Sequence, residues 1–319
     1  MELDKAAHVE ELWVYTAEWN WKDGLEFGMQ DKRYLLDIGQ MLGGSGSDAL
    51  LREAFGRIDA ERREKALRIK NSRALASSIG AGLLIQKALA DCANLRLAES
   101  QTDGRDVRFT GDRGERLGGS QAYLMQERQI AIQHFSVEGL VEELGRRSVA
   151  EPCYQYGENG KPHFGNYPFR FNLSHSGRYV FCGVSGREIG VDIQEMQEGR
   201  ELQLAKRFFS ATEYQWLEDC EEAVRRQLFF RLWVRKEAYG KLTGEGLAGV
   251  VGKNLGGDFL SKEKIPAGGS GKELLQRTEP GEHILDWEEY EMPKGYRIAV
   301  CRFVEKYQFK IPRSGIMED

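Results

Sequence analysis

The chain is poor in the features that would identify a secreted, membrane-bound or hydrolytic protein. Its five cysteines, Cys92, Cys153, Cys182, Cys220 and Cys301, are odd in number, scattered, and form no C-x-x-C pair. Neither a disulfide framework nor a structural zinc site is expected. No apolar run approaches the length of a membrane span, and the N-terminus lacks the basic-then-apolar pattern of an export signal. A cytoplasmic protein with no membrane partner is therefore expected. There is no excess of positive charge: the net charge is −5, which argues against a nucleic-acid partner. G-x-S-x-G, H-E-x-x-H and P-loop motifs are missing, so the usual serine, zinc and nucleotide chemistries have no anchor. No short-period repeat is present.

The composition is 41% hydrophobic and 30% charged, as in a globular protein with a substantial core. "ELWVYTAEW" near the start reads as a strand. A short helix is expected around Asp48–Phe55. "DAERREKALRIKNSRALASSIGAGLLIQKALADC" begins basic and continues with apolar residues at helical spacing, Leu75, Ile79, Leu83 and Leu84. Gly80 and Gly82 inside it read as close-packing positions. From about residue 100 to 152 the chain turns polar, with a Gly-rich span and helices expected over Ser120–Phe135 and Ser136–Gly145; this reads as an insertion.

After Gly160–Pro162 come the strand-like stretches "RFNLS", "YVFCGVS" and "EIGVDI". "SATEYQWLEDC" opens with the capping-box pair Ser210 and Glu213. A long helix follows over about Glu221–Leu242, closed by Gly244. "HILDWEEYEM" and "YRIAVCRF" form a strand pair around "PKG". Helices and hairpin-linked strands alternate irregularly, which predicts an α+β fold.

Three constellations carry charge where an apolar face would continue. In "FRLWVRKEAYGKLTGEGL", Val224, Leu228 and Leu232 form one i, i+4 row that runs into Lys236; Phe229 and Trp233 form the adjacent row, which runs into Glu237 and Lys241. Either the helix leaves the core there, with Glu237 and Lys241 a solvated pair worth about 0.3–0.5 kcal/mol, or the face enters a polar cleft. Gly240, costly in a helix by roughly 1 kcal/mol, points to a close neighbour. In "REIGVDIQEM", Asp192 and Gln194 share one strand face, as half of a magnesium site or as a polar outer face. In "GENGKPHFGNYPFRFNLSHSGRY", Asn159-Gly160 gives a turn beside Lys161, and Ser174 and His175 are expected in a tight polar turn able to face an anion.

Taken in order, "GKP", "FNLSHSG", "IGVDI", "AKRFFSATEY" and "LWVRKEAYGKLTGEGL" resemble the 4′-phosphopantetheinyl transferases, specifically the surfactin-synthetase-activating type. The family's W-x-x-K-E-[AS]-x-x-K signature is complete at Trp233, Lys236, Glu237, Ala238 and Lys241. Similarity covers about Gly160 to Leu247, with weaker echoes in "ERREKALRIK" and "PKGYRIAVC". The resemblance implies two similar α+β halves related by a pseudo-twofold, with a ligand cleft between them. We expect these halves at 1–168, including the segment of about 100–152, and at 169–319. It implies transfer of the phosphopantetheine arm of coenzyme A to a serine of an apo acyl or peptidyl carrier protein, by a monomer. Adenosine 3′,5′-bisphosphate is released.

On that resemblance Asp192, Gln194 and Glu237 are magnesium ligands, and Glu237 is also the base for the serine hydroxyl. Lys236 and Lys241 neutralise the pyrophosphate, Lys241 also serving the leaving oxygen, and Trp233 is a packing anchor. Gly160, Lys161, Ser174, His175, Arg62 and Lys65 contact the coenzyme. Two departures stand out. Gln194 occupies a position where many relatives carry glutamate, and Ala76 or Ser77 one where they often carry arginine, with Arg73 a turn earlier as a substitute. The alternatives are a coenzyme-A-binding homologue without transfer activity and a magnesium-dependent phosphohydrolase.

Overall fold

A computed structural model describes residues 31–101, 130–147, 151–199, 201–256 and 284–304. The expected "ELWVYTAEW" strand lies outside these residues.

Two larger sheets, a two-stranded ribbon and the helices packed on them make the fold α+β, as expected. The first sheet is built on β1 (Lys32–Asp37), whose sequence KRYLLD is apolar on both faces because both faces are covered. It pairs in parallel with β2 (Ile132–Ser136) and antiparallel with β6 (Tyr179–Ser185), which pairs with β5 (Arg170–Ser176). The order is β2-β1-β6-β5. One face presents Tyr34, Leu36, Val180, Cys182 and Val184 to a helical layer. That layer comprises α1 (Ser47–Arg57), α2 (Ala60–Leu67), α3 (Ser72–Gln101) and α4 (Val137–Gly145). Asp59 caps α2 by accepting from the Arg62 N–H at 3.0 Å. Gly80 and Gly82 let α3 approach closely: a Cβ on either would press within 2.8 and 2.5 Å of Ile38 and Ile58 methyls.

The segment expected as helix over Ser120–Phe135 ends instead as a strand. Ile132–Ser136 runs in register beside Arg33–Asp37, and Phe135 packs on the Tyr34 ring at 6.1 Å. Pairing along the open edge of β1 outweighs local helical spacing. The helix expected at Ser136–Gly145 is α4, capped by Ser136. Its Val137, Leu140, Val141 and Leu144 are core residues. Residues 132–145 are therefore part of the first sheet and its core, not an appendage. The first sheet also draws strands from both sides of residue 168.

The opposite face of the first sheet, at Leu35 and Phe181, packs on Ile189, Val191, Ile193 and Val300 of the second sheet. That sheet has the antiparallel order β7-β9-β8, with β7 (Ile189–Glu195), β8 (Ile284–Tyr290) and β9 (Tyr296–Val304). Among the described residues three α-helices follow β7: α5 (Glu201–Phe208), α6 (Ala211–Asp219) and α7 (Glu222–Thr243). Gly244, in a left-handed conformation at φ 77°, ends α7 as anticipated. Arg33, wholly buried, crosses from the first sheet to Glu288 of β8 at 2.8 and 2.9 Å. Among the described residues no helix is long and apolar enough to cross a membrane.

Candidate active site

The site is made where α7 lies on β7. Strand alternation sends Ile189, Val191 and Ile193 into the core between the sheets and leaves Gly190, Asp192 and Gln194 on the other face. Gly190 makes the contact with the helix possible. A Cβ there would stand 2.0 Å from the Ala238 carbonyl oxygen and 2.5 Å from the Leu242 nitrogen. Gly240 plays the same part on the helix's far side, where a Cβ would meet the Gly246 carbonyl oxygen at 2.6 Å. The costly helical glycine thus has the close neighbour its presence suggested.

This approach brings Asp192 to the last turns of α7. Asp192 is only 4% exposed. Its Oδ1 accepts from the Ser174 hydroxyl at 2.6 Å and from the Lys241 ammonium at 2.7 Å, and Lys241 also donates to the Ser174 oxygen at 2.8 Å. Its Oδ2 is buried without a hydrogen-bond partner. Glu237, one helical turn before Lys241, is half-buried. Burial pushes its carboxyl above the usual range, and the charge of Asp192 pushes the same way against Lys241. Asp192, Glu237 and Lys241 therefore share one electrostatic site. The face of α7 turns ionic because it meets a buried carboxylate, not because the helix leaves the core.

β5 lies along the edge of β7 away from β9, and its side chains replace a ladder. Asn172 Oδ1 accepts from the Val191 N–H at 2.9 Å, Ser174 holds Asp192, and the Ser176 oxygen accepts from the Glu195 N–H at 2.9 Å. Ser174 and His175 are consequently strand residues, paired with Phe181 and Val180, and the turn comes after them at Gly177–Arg178. The polar turn expected there is displaced because the strand ladder runs through Ser176. His175 lines a cleft of about 420 Å³ with Arg62, Ser77, Ser78, Pro162 and Asn172. That volume suits a small-molecule site. Its imidazole is driven below the usual range by burial and by Lys241, with Asp192 opposing. Arg62 has a buried Nε with no partner.

Other expected site residues are placed differently. Lys161 spends its protons on Glu188 at 2.8 Å, the Ile189 carbonyl at 3.0 Å and the Leu242 carbonyl at 3.1 Å. It ties β7 to the end of α7. Gly160 forms the turn of a hairpin between β3 (Tyr154–Tyr156) and β4 (Pro162–Phe164), with φ 73° and open space around it. Lys65 is exposed and bonded to Glu61 and to the Tyr156 hydroxyl at 2.6 and 2.7 Å. Gln194 donates to the Glu195 carbonyl at 3.3 Å. Arg73 is exposed in the first turn of α3. Trp233 stacks on Phe229 at 5.6 Å and meets Phe208 edge-on at 5.7 Å, as a packing anchor should.

Lys236 departs furthest from expectation. It has no exposed surface, its ammonium lies 2.9 Å from Glu213, which is equally buried, and it donates to the Lys253 carbonyl. Burial lowers its pKa, and Glu213 opposes that shift. The apolar row it continues is closed by α6, so the charge is sealed inside an ion pair. Glu213 is the residue that sequence reasoning left incomplete. Its capping box with Ser210 forms as read, but its carboxylate also accepts from the Leu255 and Gly256 N–H groups at 2.8 and 3.1 Å.

Among the described residues no group of three or more His, Cys, Asp or Glu side chains could hold a metal ion. Asp192 and Glu237 are a pair of carboxylates close enough for the charge of one to act on the other. The segment that carries both, residues 188–301, matches the 4′-phosphopantetheinyl transferase superfamily. The chain is 36% identical over 146 residues to the 4′-phosphopantetheinyl transferase Sfp of Bacillus subtilis (strain 168), covering 45% of this chain and 60% of that protein. It is 35% identical over 127 residues to the 4′-phosphopantetheinyl transferase psf-1 of Bacillus pumilus, covering 40% and 54%. With the 4′-phosphopantetheinyl transferase ffp of Bacillus subtilis it shares 32% identity over 166 residues, covering 52% of this chain and 69% of that one. The chain thus spans a little over half the length of several relatives that it matches. The signature on α7, the carboxylate on β7 and the extent of the alignments converge, and the chain belongs to the 4′-phosphopantetheinyl transferase superfamily.

Proposed function

We propose that this protein moves the 4′-phosphopantetheine arm of coenzyme A onto a serine of an apo acyl or peptidyl carrier protein, with magnesium as its metal. The observation that carries the reading is the buried, unpartnered Oδ2 of Asp192 beside Glu237. A desolvated carboxylate oxygen without a donor is costly. A second carboxylate nearby raises that cost, and a divalent cation relieves both. Hard oxygen ligands suit magnesium, which accepts one or two carboxylates and completes its shell with water and phosphate. The donor set therefore fits the ion, with Asp192 and Glu237 as ligands and the amide oxygen of Gln194 as a weaker, neutral third. When bound, the ion supplies positive charge against the diphosphate of the coenzyme.

The chain's own residues supply the rest. Glu237 takes the proton from the serine hydroxyl. The serine oxygen bonds to the phosphorus that carries the pantetheine arm. The bond from that phosphorus to the bridging oxygen breaks, and adenosine 3′,5′-bisphosphate leaves with the electron pair. Lys241 provides the cation that steadies this departing oxygen. The coenzyme's nucleotide end lies in the cleft lined by Arg62 and His175, where the orphaned Arg62 Nε offers an anion a donor. On this reading the chain has two related halves, and we place their division between β6 and β7 rather than at residue 168.

The test is to incubate the protein with coenzyme A, magnesium and a panel of apo carriers from fatty-acid, polyketide and peptide synthesis, then weigh each carrier. One phosphopantetheine group should appear on one serine. Glu237→Gln should slow transfer by about 10²–10⁴-fold. If no carrier gains mass, the reading is wrong; free phosphopantetheine in solution would instead show hydrolysis.

A further inference from the structure

Three buried or half-buried lysines tie α7 to its neighbours, and they differ in how firmly they are held. Lys161 is tied to one carboxylate and two carbonyls. Lys236 is sealed with Glu213 and has no exposed surface. Lys241 has 27% of its side chain exposed, and its two partners, Ser174 Oγ and Asp192 Oδ1, lie on different strands from one another. It is the lysine with room to move.

We propose that Lys241 is a resident cation: in the metal-free protein its ammonium supplies the positive charge that Asp192 and Glu237 require, and a divalent ion must displace it from Asp192. The inference rests on the metal-site reading above and goes beyond it. The triangle of Lys241, Ser174 and Asp192, with sides of 2.6, 2.7 and 2.8 Å, saturates Oδ1 and leaves Oδ2 bare. A monovalent charge on one oxygen only partly offsets two carboxylates. An ammonium beside Asp192 also repels any ion arriving at Oδ2. Ser174 makes the exchange feasible, because its hydroxyl stays on Oδ1 when the ammonium leaves. A phosphate-bearing ligand offers Lys241 a new acceptor, so anion and metal should reinforce each other's binding.

The experiment follows Mn²⁺ binding by electron paramagnetic resonance, without coenzyme or carrier, so that transfer activity plays no part. Lys241→Met should bind Mn²⁺ on the order of tenfold more tightly than wild type, the effect of removing one unit charge close to a divalent ion. Lys241→Arg, which keeps the charge, should stay weak. Inorganic phosphate should tighten Mn²⁺ binding in wild type and have little effect in Lys241→Met. Circular dichroism melts establish that each variant is folded. Equal or weaker Mn²⁺ binding by folded Lys241→Met overturns the resident-cation inference while leaving the metal site standing, provided Asp192→Asn abolishes binding. Binding unaffected by Asp192→Asn and Glu237→Gln overturns the metal site, and the inference with it.

Discussion

Replacing Glu213 by glutamine changes one atom in a sealed pocket and tests whether the Lys236 pair is a structural lock. The carboxylate accepts four hydrogen bonds, from the N–H groups of Ser210, Leu255 and Gly256 and from Lys236. Glutamine can keep its carbonyl on the Leu255 and Gly256 side. Its amide then faces the Ser210 N–H and the Lys236 ammonium, donor against donor. An ammonium with no exposed surface loses its counter-charge, and breaking such a pair costs about 3–5 kcal/mol. Lys236→Met should be milder, about 2 kcal/mol, because the carboxylate left behind retains its three backbone donors. The double variant removes the stranded charge and should be more stable than Glu213→Gln alone. Urea unfolding of the four proteins, with transitions fitted at one slope, gives the three differences. Lys236→Met costing as much as Glu213→Gln, or a double variant at the sum of the singles, would refute the reasoning.

Gly190→Ala should cost about 3 kcal/mol in the same unfolding assay, since the atom it strikes at 2.0 Å is helix backbone that cannot rotate away. A cost below half of that would mean α7 is not seated as described. Asn172→Ala strips the Val191 N–H of its acceptor and should destabilise by about 1–2 kcal/mol; faster amide exchange at Val191 is the specific readout. Burial raises the Glu289 carboxyl, but Arg235 and Arg231 overcome it and hold it at about 2, below its ordinary 4.5. A depressed carboxylate contributes stability above its unfolded value, here about 3 kcal/mol, and loses it as pH falls from about 4.5 towards 2. Unfolding free energy measured from pH 6 to 3 should fall less in Glu289→Gln than in wild type, and equal slopes would exclude this group.

Local chemistry made much of the site readable. The alternation in "IGVDI", the capping box at Ser210 and Glu213, the stop at Gly244 and the ionic continuation of the α7 rows all follow from period and cap rules acting over a few residues. Readings failed where a distant partner decided the outcome. The segment at Ile132–Ser136 is a strand because β1 offers it an edge. Ser174 and His175 sit in a ladder because β6 extends that far. The alternation Asn172, Ser174, Ser176 was visible as polar residues at period two, but its purpose required β7 alongside.

Sequence by itself settled which side chains share a face: Gly190 with Asp192 on the strand, Glu237 with Lys241 on the helix. Periodicity is a property of the backbone and needs no partner. Only the tertiary structure decided which charge each face would meet. Lys236 and Lys241 stand in the same signature, yet one is buried against Glu213 and the other reaches Asp192 from 49 positions away. The reason is that an ammonium is stabilised by whatever carboxylate the fold brings within about 3 Å, and that distance is set by packing: the bare backbone of Gly190 lets α7 come close enough.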